Sequence, residues 1–367
     1  MAHPKDIWHF ARPVLARQYL AEFDIGLIAA RALFAKRRMG KSQFLERDLI
    51  PAAQRAGYLT PYLNLWQAQS APTQALIGAI SQAMEAKGLA KIIKRLKNLK
   101  SLKASAALKG LAEGKLEAEW ADIDPKVATP LLADLLKELP TNKRVLLVLD
   151  EAQVLARKEH SDLAHSLRAN LDSRKRSIKV IFAGSSEVTL RQMFGRINEP
   201  FYNWAPLEPF PLLGEEFARA LTELVNGLSR YPLKEREALD AFEALKRTPE
   251  FFRRYLNRYL AYASDGSAAA LADTRAHVFD SETFHQTWGL LQELDQAILK
   301  FLAEGVTDLF SESVRERLGV SLEAKVPSIG IVQKALGRLT HREILIRLER
   351  GLYSFQDEAF LEWLKRR

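Results

Sequence analysis

The sequence predicts an α/β fold, in which a parallel sheet with flanking helices is followed by a helical region and a C-terminal winged helix. Three apolar segments, Ala32–Phe34, Val145–Leu149 and Lys179–Ala183, each end in polar residues, and a further strand is expected between Gly57 and Trp66. Helical patterns lie between these segments, at Pro72–Ala86 and Val127–Leu139. Such alternation of strands with helices is typical of a parallel sheet. The five aliphatic residues of Val145–Leu149 indicate a strand that is buried on both faces, as in such a sheet.

The segment AKRRMGKS, Ala35–Ser42, lies between the first strand and a helical pattern. It matches the P-loop pattern, in which backbone N–H groups wrap a phosphate, a lysine reaches the β- and γ-phosphates and a hydroxyl binds Mg²⁺. Ala35 stands where the pattern has its first glycine, and alanine is tolerated there only if φ stays negative. The alternative is an exposed basic turn with solvated cations. The predicted nucleotide-binding residues are Ala35, Lys36, Arg37, Arg38, Met39, Gly40, Lys41, Ser42 and Gln43.

Two acids, Asp150 and Glu151, directly follow the buried strand Val145–Leu149. Ligands of open α/β sheets bind at the carboxyl ends of the strands, so Asp150 is expected to face the same crevice as the P-loop. Asp150 would then bind Mg²⁺ together with Ser42, and Glu151 would polarise the attacking water. Taken alone, two acids after a strand can also form a solvated turn. Together with Lys41 and Ser42, they predict a P-loop NTPase core that uses ATP and Mg²⁺.

The third strand, Lys179–Ala183, ends in a glycine and two serines. With the motifs in this order, the sequence resembles the AAA+ and STAND branch of P-loop ATPases, especially the archaeal-type ATPases and related origin-initiator proteins. The resemblance implies that Ser185 or Ser186 is the residue called sensor 1, which contacts the γ-phosphate or the water. A serine at this place could also cap the following helix, Val188–Phe194.

Length and charge agree with a protein of more than one domain. The chain has 367 residues, no cysteine and a net charge of +9. That length exceeds what one hydrophobic core normally serves, and the lack of cysteine excludes disulfides and disfavours a structural zinc site. The positive charge favours acidic partners, nucleic acid above all. No apolar run approaches the length of a membrane span and the N-terminus lacks a signal-peptide core, so we expect a cytoplasmic protein.

The predicted domains are an ATPase core at residues 1–210, a helical lid at residues 211–285 and a winged-helix domain at residues 286–367. Prolines and aromatic residues concentrate near the first boundary, and proline interrupts helices. The family resemblance implies that a lid arginine near Pro249, Arg253 or Arg254, contacts the γ-phosphate as sensor 2. STAND members often keep the proline without the arginine. The alternative is that both arginines lie on an exposed helix face.

A basic stretch occupies residues 87–115, where lysines and apolar residues recur at helical spacing. This pattern predicts a basic amphipathic helix. Three uses are compatible with it. The helix could contact nucleic-acid phosphates, lie on an anionic membrane surface, or present a solvated face while it packs on the core.

The C-terminal part has the pattern of three helices and a β-hairpin. Helices are expected from Leu294, from Phe310 and from Ser328, and two strands flank a turn around Gly351. In a winged helix the third helix is the recognition helix. The predicted DNA-contacting residues are Gln333, Lys334, Arg338, Arg342, Arg347 and Arg350. Winged helices also dock proteins or act as autoinhibitory flaps, and nearby acids weaken the positive face.

The resemblance also raises the question of a trans-acting arginine. In several relatives an arginine follows a Pro-x-Tyr-like segment after sensor 1, but Trp204 holds the comparable place here. Arg191 and Arg196 are nearby candidates. Without such an arginine, hydrolysis would be slow. We therefore predict an ATPase that acts in a DNA transaction, whether replication, mobile-element control or defence, with ATP state controlling conformation or assembly.

Partners expected for such a protein are ATP, duplex DNA through the winged helix, and a second copy of the chain or another protein. Two alternatives compete with an ATPase. One is a nucleotide-gated regulatory module that does not hydrolyse ATP, and the other is a protein-docking scaffold.

Overall fold

The computed structural model describes residues 6–86, 125–140, 142–279, 282–342, 344–349 and 351–366. These form two compact units. The α/β unit comprises residues 11–35 and 41–210, and the helical unit comprises residues up to 10, residues 36–40 and residues from 211 onward. The basic stretch at residues 87–115 lies entirely outside the described residues, so its predicted helix stays a prediction.

The α/β unit contains a five-stranded parallel sheet with the strand order β2-β3-β4-β1-β5. Its strands are β1 Ala30–Phe34, β2 Tyr62–Asn64, β3 Val145–Asp150, β4 Ile178–Gly184 and β5 Leu207–Pro209. Its helices are α1 Pro13–Ile25, α2 Lys41–Phe44, α3 Ile50–Arg55, α4 Pro72–Ala86, α5 Pro125–Glu138, α6 Ser161–Ser173 and α7 Glu187–Gly195. Every residue of β3 and β4 is buried, as the aliphatic runs predict. The predicted α/β class is confirmed.

The order of the central strands decides where the site is built. Because β3, β4 and β1 are adjacent and parallel, their carboxyl ends lie side by side at one edge of the sheet. The P-loop follows β1, the two acids lie at the end of β3, and the serines follow β4. The three motifs are thus brought to the same edge.

The second strand is shorter than the sequence suggests. A strand was expected across Gly57–Trp66, but β2 covers only Tyr62–Asn64. Pro61 lacks a backbone N–H, so a continuous ladder cannot run through it. The chain before it still touches β3, because the N–H of Leu146 donates to the carbonyl of Leu59.

The turn between α2 and α3 is a π-helical segment, Leu45–Leu49. Pro51 follows at the start of α3, and a proline there cannot donate the backbone hydrogen bond that a regular helix would use. A π-turn accommodates the interruption. Leu45, Leu49 and Phe44 remain buried, as their helical spacing predicts.

The helical unit contains a run of five helices after residue 211. These are α8 Glu215–Leu228, α9 Glu235–Ala244, α10 Pro249–Ala261, α11 Gly266–Phe279 and α12 Glu282–Gly289. Their core includes three mutually packed rings, Phe217, Phe242 and Phe252, with centroid separations of 5.2–6.0 Å. The last helix, α12, also supplies residues to the core of the segment that follows.

A winged helix ends the chain. It comprises α13 Glu293–Ala303, α14 Glu312–Ser321, α15 Ile329–His341, β6 Leu345–Glu349 and β7 Leu352–Phe355, followed by α16 Glu358–Lys365. Ser328 caps α15 by accepting a hydrogen bond from the backbone of Ile331. Gly351, with φ of 87°, makes the turn between the antiparallel strands. The predicted winged helix is confirmed, whereas the two boundaries between the three predicted domains stay a prediction.

None of the helices in the described part of the chain has both the length and the apolarity that crossing a membrane requires.

Candidate active site

The P-loop, Ala35–Ser42, leaves the carboxyl end of β1 and leads into α2. Ala35 continues β1, since its N–H donates to the carbonyl of Gly184 at 3.3 Å. Positive φ angles occur later in the loop, at Arg38 (68°) and Gly40 (80°), and not at Ala35. The condition under which alanine replaces the first glycine is therefore met. Left-handed backbone costs a non-glycine residue about 1–2 kcal/mol, so Arg38 takes the strain that the loop requires.

Lys41 and Ser42 lie at the start of α2 and face the end of β3. The ammonium of Lys41 is 3.7 Å from a carboxylate oxygen of Asp150 and 3.7 Å from one of Glu151. The hydroxyl of Ser42 donates to the other oxygen of Asp150 at 2.5 Å. Asp150 is fully buried, and only 5 % of the surface of Lys41 is exposed. The structure thus brings together the four residues that the sequence assigns to phosphate, Mg²⁺ and water.

Burial disfavours the charge on Asp150, although the Lys41 ammonium, the Ser42 hydroxyl and the backbone N–H of Glu151 all contact this carboxylate. Burial raises the pKa of this carboxyl, and the opposing effects of the Lys41 ammonium and of the Ser42 hydrogen bond are smaller. A buried carboxylate beside a serine hydroxyl is a set of hard oxygen donors, which suits Mg²⁺, an ion usually held by one or two carboxylates and by substrate phosphates. Asp150 and Ser42 therefore fit the metal that the P-loop implies.

Glu151 is held in a left-handed turn, with φ of 53° and ψ of 42°, directly after β3. Its Oε2 accepts a hydrogen bond from the hydroxyl of Ser185 at 2.8 Å and another from the amide of Gln153 at 2.5 Å. The same amide lies 3.2 Å from the Ser185 hydroxyl. Ser185 follows β4, so adjacent strands supply the two partners. No sequence pattern pointed to Gln153, although a polar residue in the turn after two acids is the signal that could have.

The two serines after β4 have different surroundings. Ser185 contacts Glu151, as described above, whereas Ser186 is the N-cap of α7 and accepts a hydrogen bond from the backbone of Thr189 at 3.3 Å. The sequence allowed either serine to cap the helix or to lie in the site. In the structure Ser186 caps α7, and Ser185 contacts the site. Ser185 is the one that lies beside the acids.

Asn64 is a second polar group at this edge that the sequence did not single out. It pairs with Asp150 in the register of β2 and β3, and its side-chain oxygen accepts a hydrogen bond from the backbone of Trp66 at 3.0 Å. The neighbouring Tyr62 donates to Glu46 at 2.7 Å. Burial raises the pKa of the Tyr62 phenol, and the charge of Asp150 raises it further. The phenol therefore stays protonated and serves as a hydrogen-bond donor.

The remaining predicted nucleotide-binding residues differ in their contacts. Lys36, Arg37 and Gln43 are exposed, and Met39 is half-buried. Within the helical unit, the guanidinium of Arg38 is 3.0 Å from Asp357 and 3.6 Å from Glu250, and it lies over the ring of Phe251. Arg253 donates to the carbonyl of Trp8, and the exposed Arg254 pairs with Glu250 at 2.5 Å. That these residues of the loop and the lid bind ATP stays a prediction.

The winged helix exposes most of the predicted DNA-contacting residues. Gln333, Lys334, Arg342 and Arg347 are all exposed. Arg338 differs, because its guanidinium makes two hydrogen bonds to the buried Asp295, at 2.6 and 3.2 Å. This arginine joins α15 to α13 inside the domain, a structural role that its sequence position did not indicate. Arg350 lies outside the described residues.

Trp204 belongs to the hydrophobic core of the α/β unit. Its ring packs against Phe182 with centroids 5.6 Å apart, and its indole N–H donates to Asp172 at 2.9 Å. Arg191 is exposed and pairs with Glu187 at 2.6 Å, and Arg196 is exposed. Trp204, at the position for which the family resemblance raised the question of a trans-acting arginine, is therefore a core residue.

Solved structures resemble the fold of this chain over nearly its whole length. A Walker-type ATPase of Pyrococcus abyssi aligns with a TM-score of 0.60 and 16% identity, over 98% of this chain and 99% of that one. The chain has the fold of a Walker-type ATPase. The ORC2 protein of Aeropyrum pernix, in its ADP form, aligns with a TM-score of 0.57 and 15% identity, over 96% of this chain and 92% of that one. A comparison of the sequence with protein-family models and with curated proteins finds no match.

The Walker-type fold thus extends beyond the sheet to the helical segments and the winged helix, since both alignments cover almost all of this chain. At identities of 15–16%, the likeness concerns the fold alone. Residue roles rest on the geometry described above.

Proposed function

We propose that this protein binds ATP with Mg²⁺ and hydrolyses it, and that its nucleotide state controls conformation or assembly in a DNA transaction. The grouping of Lys41, Ser42, Asp150 and Glu151 at one edge of the sheet carries this proposal. The ADP form of the ORC2 protein of Aeropyrum pernix, which has the same fold, adds support for nucleotide as the ligand.

Each residue has a definite task in this scheme. The P-loop amides and the Lys41 ammonium hold the β- and γ-phosphates, and Lys41 stabilises the charge that the phosphoryl oxygens carry in the transition state. Ser42 and Asp150 would hold Mg²⁺, which when bound neutralises phosphate charge. Glu151 accepts a proton from the attacking water through a carboxylate oxygen. Ser185 orients Glu151 by donating to its Oε2.

ATP turnover tests the hydrolytic part of the proposal. We expect Glu151→Gln to lower kcat by about 100-fold or more while ATP still binds, because general-base catalysis contributes on this scale. Lys41→Ala should weaken both nucleotide binding and turnover. Glu159→Gln, which removes an exposed acid outside the site, is the matched control and should leave turnover unchanged. Turnover that survives both site substitutions would exclude the mechanism.

A slow nucleotide switch is a second candidate, and a specific observation favours it. The core position of Trp204 removes the expected trans-acting arginine, and such arginines contribute a rate factor of about 10³–10⁵. Arg196 is exposed and could act on a neighbouring copy. If Arg196→Ala leaves turnover unchanged at protein concentrations that favour assembly, the switch is the better description.

The winged helix is proposed as the DNA-binding module because Lys334 and Arg347 are exposed on its recognition helix and wing. Binding to a duplex can be followed by fluorescence anisotropy across a salt series. The double variant Lys334→Ala/Arg347→Ala should reduce the slope of log affinity against log salt by about 2, since each phosphate contact contributes about 0.9. Lys234→Ala removes an exposed lysine elsewhere and should not change the slope. Equal slopes for the wild type and the double variant would favour protein docking.

A further inference from the structure

Gln153 is a polar residue of the site that neither the P-loop nor the acidic pair accounts for. It lies in the short 3₁₀ segment Ala152–Ala156, two residues after Glu151. The left-handed backbone of Glu151 reverses the chain there, and the Gln153 amide reaches back to the Glu151 carboxylate. We propose that Gln153 is a positioning residue that fixes the orientation of Glu151 for proton abstraction. This inference rests on the proposed ATPase function.

The chemistry of the contact determines which way the Gln153 amide points. Its nitrogen lies 2.5 Å from Oε2 of Glu151. If the amide were turned over, a carbonyl oxygen would face a carboxylate oxygen at that distance, and two acceptors would repel each other. Nε2 must therefore face the carboxylate, and it donates there.

Two of the hydrogen bonds to Glu151 end on the same carboxylate oxygen. Oε2 accepts from both Gln153 and Ser185. Oε1 is the oxygen 3.7 Å from the Lys41 ammonium, on the side of the phosphate-binding lysine. With Oε2 held from two directions, the carboxylate cannot rotate about its last bond without losing both donors. Gln153 and Ser185 thereby keep Oε1 directed toward the place where phosphates and water would lie.

A purely structural glutamine would not have the surroundings that Gln153 has. Its Oε1 is buried and is one of the side-chain atoms, within the described residues, that have no hydrogen-bond partner. A buried acceptor without a partner costs free energy, which a leucine of similar size would not. The oxygen fits only because residue 184 is glycine, since a Cβ there would lie 2.4 Å from it. The contact with Glu151 is what offsets this cost.

Steady-state ATPase kinetics test the inference on the full-length protein. We expect Gln153→Leu to lower kcat about 10-fold to 100-fold, as the loss of an orienting partner typically does. KM should change by less than about threefold, because the phosphate-binding groups are untouched. Gln153→His, which retains a donor, should recover part of kcat. Gln192→Leu, a half-buried glutamine on α7 outside this network, is the matched control.

A double-mutant comparison separates positioning from general damage. If Gln153 acts through Glu151, Gln153→Leu should lower turnover no further when Glu151 is already glutamine. If Gln153→Leu is too unstable to assay, Gln153→Glu replaces the donor by an acceptor and should lower kcat at least as much. An unchanged kcat in both single variants, or a further loss in the Glu151→Gln background, overturns the inference. A wild type without turnover overturns the proposed function itself, and this inference with it.

Discussion

The two edges of the parallel sheet surround a carboxylate with different groups and bury it to different extents. At the edge where the strands begin, Asp24 accepts hydrogen bonds from Arg144 and Tyr58, each at 2.5 Å. At the edge where they end, Asp150 is fully buried, and the ammonium of Lys41 stays 3.7 Å away. The first carboxylate is satisfied by short contacts within the protein. The second also accepts hydrogen bonds, from the Ser42 hydroxyl at 2.5 Å and from the backbone N–H of Glu151 at 2.9 Å. Burial nevertheless raises its pKa, so a bound cation would stabilise its charged form.

The two edges also differ in which group has its pKa raised by burial. At the first edge, burial raises the pKa of the Tyr58 phenol, and its hydrogen bond to Asp24 raises it further. That phenol therefore stays protonated and can donate to Asp24 at all ordinary pH values. At the second edge, burial raises the pKa of Asp150 itself. Burial thus disfavours the charged form of Asp150, which is the form that the proposed Mg²⁺ would stabilise.

The largest expected effect comes from removing the buried carboxylate of Asp150. Asp150→Asn should lower Mg²⁺-dependent ATP turnover about 100-fold or more, because metal-ion catalysis contributes several kcal/mol. A titration of Mg²⁺ against turnover measures the effect, and Asp24→Asn serves as the control at the opposite edge. Equal losses in the two variants would remove the distinction between the edges.

Asp150→Asn should lower ATP turnover but raise the stability of the protein without Mg²⁺. Because the folded-state pKa of Asp150 is raised, the native protein keeps this proton at a pH at which the unfolded chain has lost it. Stability from this group is therefore highest below the ordinary value of 3.8 and falls as pH rises through the folded-state pKa.

Asp150→Asn lacks this decline, so without Mg²⁺ it should become more stable than the wild type as pH rises, by about 1.4 kcal/mol per unit of pKa shift. Urea denaturation between about pH 4 and pH 8 measures the difference. If the stability advantage of Asp150→Asn over the wild type becomes smaller as pH rises, the pKa of Asp150 is not raised in the folded protein.

An intermediate effect is expected from Gly184→Ala. The new Cβ would lie 2.4 Å from Oε1 of Gln153 and 2.9 Å from Cδ1 of Leu190, so either the glutamine or α7 has to move. We expect a loss of stability of about 1–3 kcal/mol, typical of overpacking, and a lower kcat. Chemical denaturation and turnover are measured together. Gly195→Ala, whose Cβ would meet nothing within 4 Å, is the control.

The smallest effect is expected at the satisfied edge. Arg144→Ala removes an ion pair between two half-exposed side chains, and such pairs contribute about 1 kcal/mol or less. ATP turnover should stay at the wild-type level, because nothing at the carboxyl edge changes. The exposed Arg176, replaced by alanine, controls for the loss of positive charge. A clear loss of turnover in Arg144→Ala would show that the two edges are coupled.

Much of the candidate site could be predicted from local sequence. The P-loop and the pair Asp150-Glu151 follow segments whose hydrophobicity marks them as buried strands, and parallel strands end at one edge. Sequence could not choose between Ser185 and Ser186, because both follow the same strand. The cap on α7 and the hydrogen bond to Glu151 made that choice.

The winged helix shows the limit of surface reasoning. Its helices and hairpin follow from periodicity, and the cations on α15 were grouped as one exposed set. Arg338 left that set because Asp295, 43 residues earlier, is buried beneath it. A buried acid requires a paired charge, and spacing along one helix does not reveal which residue supplies it.

The sequence by itself determined the α/β class and the winged helix, and it singled out Lys41, Ser42, Asp150 and Glu151 as candidate site residues, because these depend on local motifs and on the period of apolar residues. Only the tertiary structure decided that Gln153 and Ser185 hold Glu151, that Trp204 lies in the core and that Arg338 is paired. These facts depend on contacts between segments far apart in the chain. Such contacts are set by the strand order β3-β4-β1 and by helix packing, which hydrophobic periodicity does not encode.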